Sequence, residues 1–210
     1  PVLRAIVPSL PAHAVVTDVG SAKASVVADV ERIYGAIPPH FVPGHPIAGT
    51  EQSGVEASFA TLFQGRRVIL TPLAETAAAA HHLIQQMWKL TGAEVIDMGV
   101  HHHDAVLAAT SHLPHILAYT LVDTLARLDD RAEIFRYAAG GFRDFSRIAS
   151  SDPKMWHDIC VANREQLLEM IALFSADLER LTAAIRHEDR AAILATFQRA
   201  KRARDNLYLE

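Results

Sequence analysis

The chain has 210 residues, half of them hydrophobic, and a formal net charge of −4. That length allows one large domain or two small ones around a sizeable core, and the acidic balance argues against a nucleic-acid partner, which needs a basic face. One cysteine, Cys160, excludes a disulfide framework and fits a reducing compartment. Residues 1–10 lack the basic start and long apolar run of a signal peptide, and no apolar run is expected to reach transmembrane length. A cytoplasmic protein without a membrane partner is expected.

The chain starts without methionine, directly in a helical pattern over residues 2–10, as if entered in mid-domain. Residues 14–17 form a short apolar strand. Asp18-Val19-Gly20-Ser21 is a turn, and Ser21 can cap a helix over residues 22–34. Phe41-Val42 begins a second strand, residues 57–63 a short helical piece, and residues 67–71 a third strand stopped by Pro72. A helix over 75–90 and a strand over 94–98 follow. Strands alternating with helices imply a largely parallel sheet with helices on its faces.

After Gly99 the pattern turns helical. Residues 104–128 read as one long helix with a kink at Pro114. A further helix is expected over 131–137, and a short helix or loop over 142–149. From Pro153, apolar spacing (Trp156, Ile159, Leu167, Ile171, Phe174, Leu178, Leu181, Ile185) predicts helix for most of the remainder, with a last helix over 188–207. The fold class expected is therefore α/β followed by all-α, with the boundary near residue 99. The long apolar stripes suit burial against a second copy.

Three clusters carry candidate chemistry. Residues 40–54 place His45, Glu51 and Ser53 on a loop whose prolines and glycines keep it out of regular helix. A neutral imidazole at His45 accepts a proton from a hydroxyl near neutral pH, so activity should fall as pH falls through its pKa. Glu51 is either a solvated loop acid or part of the same cavity. Ser21, at the carboxyl edge of the first strand, is either a plain N-cap or a ligand contact. In the second cluster, residues 110–115, His112 and His115 share a helix face. No His-Glu-x-x-His pattern accompanies them, so no metal site is expected. The pairs and runs at His81-His82 and His101-His102-His103 read as exposed helix ends. In the third cluster Gly140-Gly141 precedes Arg143 and Arg147, four apart, which either bind a carboxylate or form a surface network with Asp144. Cys160 reads as a buried, inert thiol and Trp156 as a packing residue.

Gly44-His45-Pro46-Ile47-Ala48-Gly49-Thr50-Glu51, Thr17-Asp18-Val19-Gly20-Ser21-Ala22-Lys23, Ser111-His112-Leu113-Pro114-His115 and Gly141-Phe142-Arg143-Asp144-Phe145-Ser146-Arg147 occur in this order. With them the chain resembles, over essentially its whole length, prephenate dehydrogenase and its arogenate-using (cyclohexadienyl) relatives. The resemblance implies a partial Rossmann-type parallel sheet with helices over residues 1–99, the C-terminal portion of a dinucleotide-binding domain. Residues 100–210 would be a helical substrate-binding and dimerisation domain. It implies oxidative decarboxylation of prephenate or arogenate in tyrosine biosynthesis, with NAD or NADP, by a homodimer. His45 would take the hydrogen bond and finally the proton of the ring hydroxyl, with Ser21 bonded to the same hydroxyl or to His45. Arg147 would hold a substrate carboxylate, His115, Arg143 and Ser111 would line the pocket, and Glu51 would gate it. Ser21 and Asp18 would face the cofactor.

The family's Gly-x-Gly-x-x-Gly turn is absent from these 210 residues. The chain is therefore expected to be an N-terminally truncated form that binds NAD(P) poorly and turns over little. A non-catalytic dimeric ligand-binding homologue that has lost its cofactor half is the alternative, and a metal-binding helical protein built on the histidines a third.

Overall fold

The computed structural model describes residues 2–49, 52 and 54–206. Two compact units divide the chain, residues 1–167 and 168–210. In the first, α1 (Val2–Ile6) ends in a 3-10 turn and leads to β1 (Val16–Thr17), α2 (Ala24–Tyr34) and β2 (Phe41–Val42). Then come β3 (Gly44–Pro46), β4 (Arg67–Leu70), α3 (Ala78–Leu90) and β5 (Glu94–Asp97). β1 pairs with β2 in parallel, and β4 with β5 in parallel. β3 departs from the expected parallel arrangement: it runs antiparallel to β4, with His45 opposite Ile69. Pro43 separates β2 from β3, since it has no N–H to continue a ladder and fixes φ, and its carbonyl instead accepts from the Thr71 N–H at 2.9 Å.

The core of this sheet region is Val42, Val68, Leu70, Ala80, Ile84, Trp88 and Ala93. The apolar residues Ala80, Ile84 and Trp88 of α3 recur every four positions, which puts them on one face of the helix against the strands. Phe63 meets Trp88 edge-to-face, centroids 5.1 Å apart.

The helical stretch is more broken than the sequence pattern suggests. The expected helix over 104–128 is instead α4 (Val100–Leu107), a π-turn over Ala108–His112 and α5 (Leu113–Ala126). Pro114 sits in the first turn of α5, where its missing N–H costs little, so the irregularity lies before it. Contrary to expectation, Val100–Ala126 is long and apolar enough, by length and composition, to cross a membrane, with mean hydropathy 1.3. Its interior positions carry buried His103, Asp104 and His112, all held by internal hydrogen bonds, which is the pattern of a core helix. α6 (Arg131–Arg136), α7 (Gly140–Ser146) and a 3-10 turn over Arg147–Ser150 follow, and α7 and this turn pack on α5. The helix expected from Pro153 onward breaks at Asn163 into α8 (Pro153–Ala162) and α9 (Arg164–Arg186).

The second unit contains the rest of α9, from Leu168, and α10 (Arg190–Asn206). No described residue in it is buried, and Leu168, Leu173, Phe174, Leu178, Ile185, Leu194 and Phe197 are exposed.

Candidate active site

His45 lies in β3, only 8% exposed. Its Nδ1 is 2.9 Å from Nε2 of His103 on α4, and the Nδ1 of His103 is 2.8 Å from Oδ1 of Asp104. Asp104 also accepts from the backbone N–H groups of Lys23 and Ala24, each at 2.8 Å. It therefore caps α2 from a distant part of the chain. This corrects the expected cap: the helix starts at Ala24, and Ser21 makes no capping bond. A carboxylate at a helix N-terminus also meets the positive end of the helix dipole. Burial alone would raise the Asp104 pKa, but the hydrogen bonds from His103, Lys23 and Ala24 outweigh it and hold the carboxyl below its usual range.

Asn163, at the break between α8 and α9, ties the next residues to this group. Its Nδ2 donates to the Asp104 carbonyl at 2.8 Å and to Nδ1 of His112 at 3.0 Å. Because a carbonyl can only accept, the amide is oriented by Asp104, and His112 must carry its proton on Nε2. The π-turn makes this possible. In an uninterrupted α-helix, residues eight apart point about 80° away from each other; one extra residue in the turn brings Asp104 and His112 to within roughly 20°.

His112 meets Trp156 edge-on, centroids 6.1 Å apart, and Trp156 in turn stacks on His115. The Nδ1–H of His115 donates to the Ser111 carbonyl at 2.8 Å, which leaves Nε2 as the acceptor. Burial pushes the His115 pKa down. His45, His103, Asp104, Asn163, His112, Trp156 and His115 thus form one continuous line of contacts. Within it, burial lowers His45 to about 3, helped by the neighbouring His103 and Lys23, and burial lowers His112 to about 4. Both are neutral at physiological pH.

At the start of β3, Asp18 and Lys23 lock the first turn. The Asp18 carboxylate accepts from the N–H of Gly20 at 2.8 Å and of Gly44 at 3.1 Å, and pairs with Lys23 Nζ. Lys23 is fully buried and also donates to the Gly44 carbonyl at 2.5 Å. Burial lowers its pKa despite the Asp18 charge. The turn is closed around this pair: a Cβ on Gly20 would lie 3.0 Å from Asp18 Oδ2. Ser21 is partly exposed at the carboxyl end of β1, and its hydroxyl makes no hydrogen bond among the described residues. Of the two residues expected to face a cofactor, Asp18 is engaged within the turn, while the Ser21 hydroxyl has no hydrogen-bond partner among the described residues.

Arg143 and Arg147 are exposed on α7 and the turn after it, and Arg147 has an interaction of its own. Both elements pack on α5, the helix that carries His115. Glu51 lies outside the described residues. Cavities of about 480 Å³, beside Gln52, Glu56 and Asp152, and about 340 Å³, beside Ala24, Asp104 and Asn163, flank the site without reaching His45. His101 and His102 are exposed as expected, whereas His103 is completely buried. The sequence pattern marks neither Asp104 nor Asn163, holds Lys23 only as part of a motif and reads His103 as an exposed helix end; the structure buries all four. The available signal was an acid in an otherwise apolar helix, which has to find partners if it is buried.

The prephenate dehydrogenase nucleotide-binding domain matches residues 1–97, and the prephenate dehydrogenase dimerization domain matches residues 100–199. The chain belongs to the prephenate dehydrogenase family. It is 42% identical over 206 residues to the cyclohexadienyl dehydrogenase of Zymomonas mobilis, covering 97% of this chain and 69% of that protein. It is 36% identical to the prephenate dehydrogenase of Bacillus subtilis, covering 92% of this chain and 52%, about half, of that protein. The crystal structure of prephenate dehydrogenase from Aquifex aeolicus in complex with hydroxyphenyl propionate and NAD+ superposes with a TM-score of 0.89 at 39% identity, over 98% of this chain and 71% of that one. The expected fold class, a partial Rossmann-type sheet followed by helices, holds, with β3 as its antiparallel member.

Proposed function

We propose that this family member acts in tyrosine biosynthesis in the cytoplasm, oxidatively decarboxylating prephenate to 4-hydroxyphenylpyruvate or arogenate to tyrosine with NAD or NADP. Residues 1–99 would be the C-terminal portion of the dinucleotide-binding domain and residues 100–210 the helical substrate-binding and dimerisation domain. The observation that carries the reading is His45: neutral, buried and tied through Nδ1, so that Nε2 is left to serve a ligand.

When bound, the nicotinamide supplies the hydride acceptor. The chain's own residues supply the proton chemistry and the orientation. His45 Nε2 accepts the hydrogen bond of the ring hydroxyl and draws its proton as the carbon–oxygen bond gains double-bond character. Loss of the ring carboxylate as carbon dioxide then leaves an electron pair that aromatises the ring, and the proton returns to the phenol oxygen. An imidazole that resists protonation in its resting state suits this role, because its lone pair stays available and the proton is held only transiently. Ser21, with its free hydroxyl, would bond to the same oxygen or to the cofactor, and Asp18 would hold the turn that carries it. Arg147 would bind a substrate carboxylate, with Arg143, His115, Ser111 and Glu51 lining the pocket. The exposed apolar residues of α9 and α10 support a homodimer through the helical domain.

The test is to assay the intact gene product for nicotinamide reduction with prephenate and with arogenate, and to repeat the assay with His45→Asn. The variant is expected to lose roughly 10²- to 10⁴-fold in turnover. Unchanged turnover would refute the role of His45, and inactivity of the wild type on both substrates would refute the reaction.

A further inference from the structure

The line His45–His103–Asp104 acquires a direction once His103 is neutral. Asp104 is an acceptor only, and two backbone N–H groups at the start of α2 already point at it. The third group at the carboxylate, Nδ1 of His103, must therefore be a donor. When His103 is neutral, the proton on Nδ1 leaves a lone pair at Nε2. Among the described residues the group at that lone pair is Nδ1 of His45, 2.9 Å away, which must then carry a proton and donate it. The lone pair of His45 is left on Nε2. Had the chain run the other way, Nε2 would hold a proton and His45 could not accept one.

We propose that His103 and Asp104 are positioning residues that set the tautomer of His45, fixing its free lone pair on Nε2. The arrangement is anchored in the backbone of α2, so the tautomer is a property of the fold and is present before any ligand binds. It rests on the reading of His45 as the proton acceptor, but it makes a separate claim about where a proton sits. No net charge moves in the resting state. As His45 takes a proton at Nε2, the imidazolium keeps its Nδ1–H bond to His103, and Asp104 stands two bonds behind it as the compensating negative charge. His103 is fully buried and Asp104 nearly so, which keeps competing water away from both links.

The experiment is histidine-side-chain nitrogen NMR on the 15N-labelled chain near pH 7, with His45 assigned by its loss in His45→Asn. His45 is expected to be neutral with its proton on Nδ1. In His103→Phe, which offers no acceptor, the signal should move toward the Nε2–H form that unconstrained imidazole prefers. His103→Gln, whose carbonyl oxygen can stand where Nε2 stood, should restore the Nδ1–H form. In the assay of the intact gene product, His103→Phe should lower kcat by roughly 10²-fold, with KM for the organic substrate changed less than about twofold. A wild-type proton on Nε2 overturns the proposal even if His103→Phe fails to fold. So does an unchanged His45 tautomer in folded His103→Phe. Because the spectra require no turnover, failure of the proposed reaction would leave this result intact, and the two can fail separately.

Discussion

The imidazole of His115 lies nearly flat on the indole of Trp156, with ring centroids 3.6 Å apart and planes inclined by 18°. Trp156 is itself buried on α8, so it forms a rigid floor for a side chain on α5. Replacing Trp156 with Ala should cost about 3–5 kcal/mol of stability, the usual range for a buried aromatic, and Trp156→Phe clearly less. Urea unfolding measures both. In either folded variant the pKa of His115 should rise toward its ordinary value as water reaches the ring, which a histidine proton titration would read.

Acid sensitivity follows from His45 and His112. Their folded pKa values, about 3 and about 4, lie below the ordinary 6.5 of the unfolded chain. As pH falls from 6.5, the unfolded chain takes up protons that the folded chain refuses, so stability is complete above that pH and is lost on the way down toward 4 and then 3. Within the window each group contributes a slope of about 1.4 kcal/mol per pH unit. His112→Gln should flatten the slope between pH 6 and 4 in denaturant titrations at stepped pH. The fall in activity expected from His45 titration moves to the same low range, so a plateau from about pH 7 down to the onset of acid unfolding is the predicted rate profile.

The Asp18–Lys23 pair couples the first turn to β3. Asp18→Asn leaves the buried Lys23 ammonium with the Gly44 carbonyl but without its paired carboxylate, Asp104 acting only at longer range, at an expected cost of about 3–5 kcal/mol. Adding Lys23→Met removes the uncompensated charge, so the double variant should be more stable than Asp18→Asn alone. Equal or lower stability of the double variant in urea would contradict this account.

Asp152 caps α8, accepting from the N–H groups of Lys154 at 2.7 Å and Met155 at 3.0 Å, with Pro153 in the first turn. Asp152→Ala should cost about 1 kcal/mol. Asp152→Ser, which can still cap, should recover most of it in the same thermal unfolding series.

The strands and the amphipathic α3 were legible because burial on one face imposes a period, and the period survives in the residues themselves. The same holds for His45: a histidine between Pro and Gly residues at a strand edge is marked by its surroundings. The helix breaks were not legible. Nothing in Ala108–His112 demands a π-turn, and although Asn163 is a weak helix former that suits a cap, one such residue does not by itself end a long apolar stripe; both departures are selected by the polar contacts they allow. Ser21 illustrates a local rule outbid at long range, since a serine before a helix is a sound cap candidate, yet a fully ionised carboxylate 80 residues away reaches the same N–H groups.

By itself the sequence determined the order of α/β and helical parts and the family, and it marked His45 as the candidate proton acceptor. These are encoded in local pattern and in motifs whose residues are neighbours in the chain. Only the tertiary structure decided which histidine faces which. His103 reads as one of three consecutive imidazoles until α4 packs on α2 and turns it inward, between His45 and Asp104, where burial leaves each nitrogen a single partner and each proton a single place.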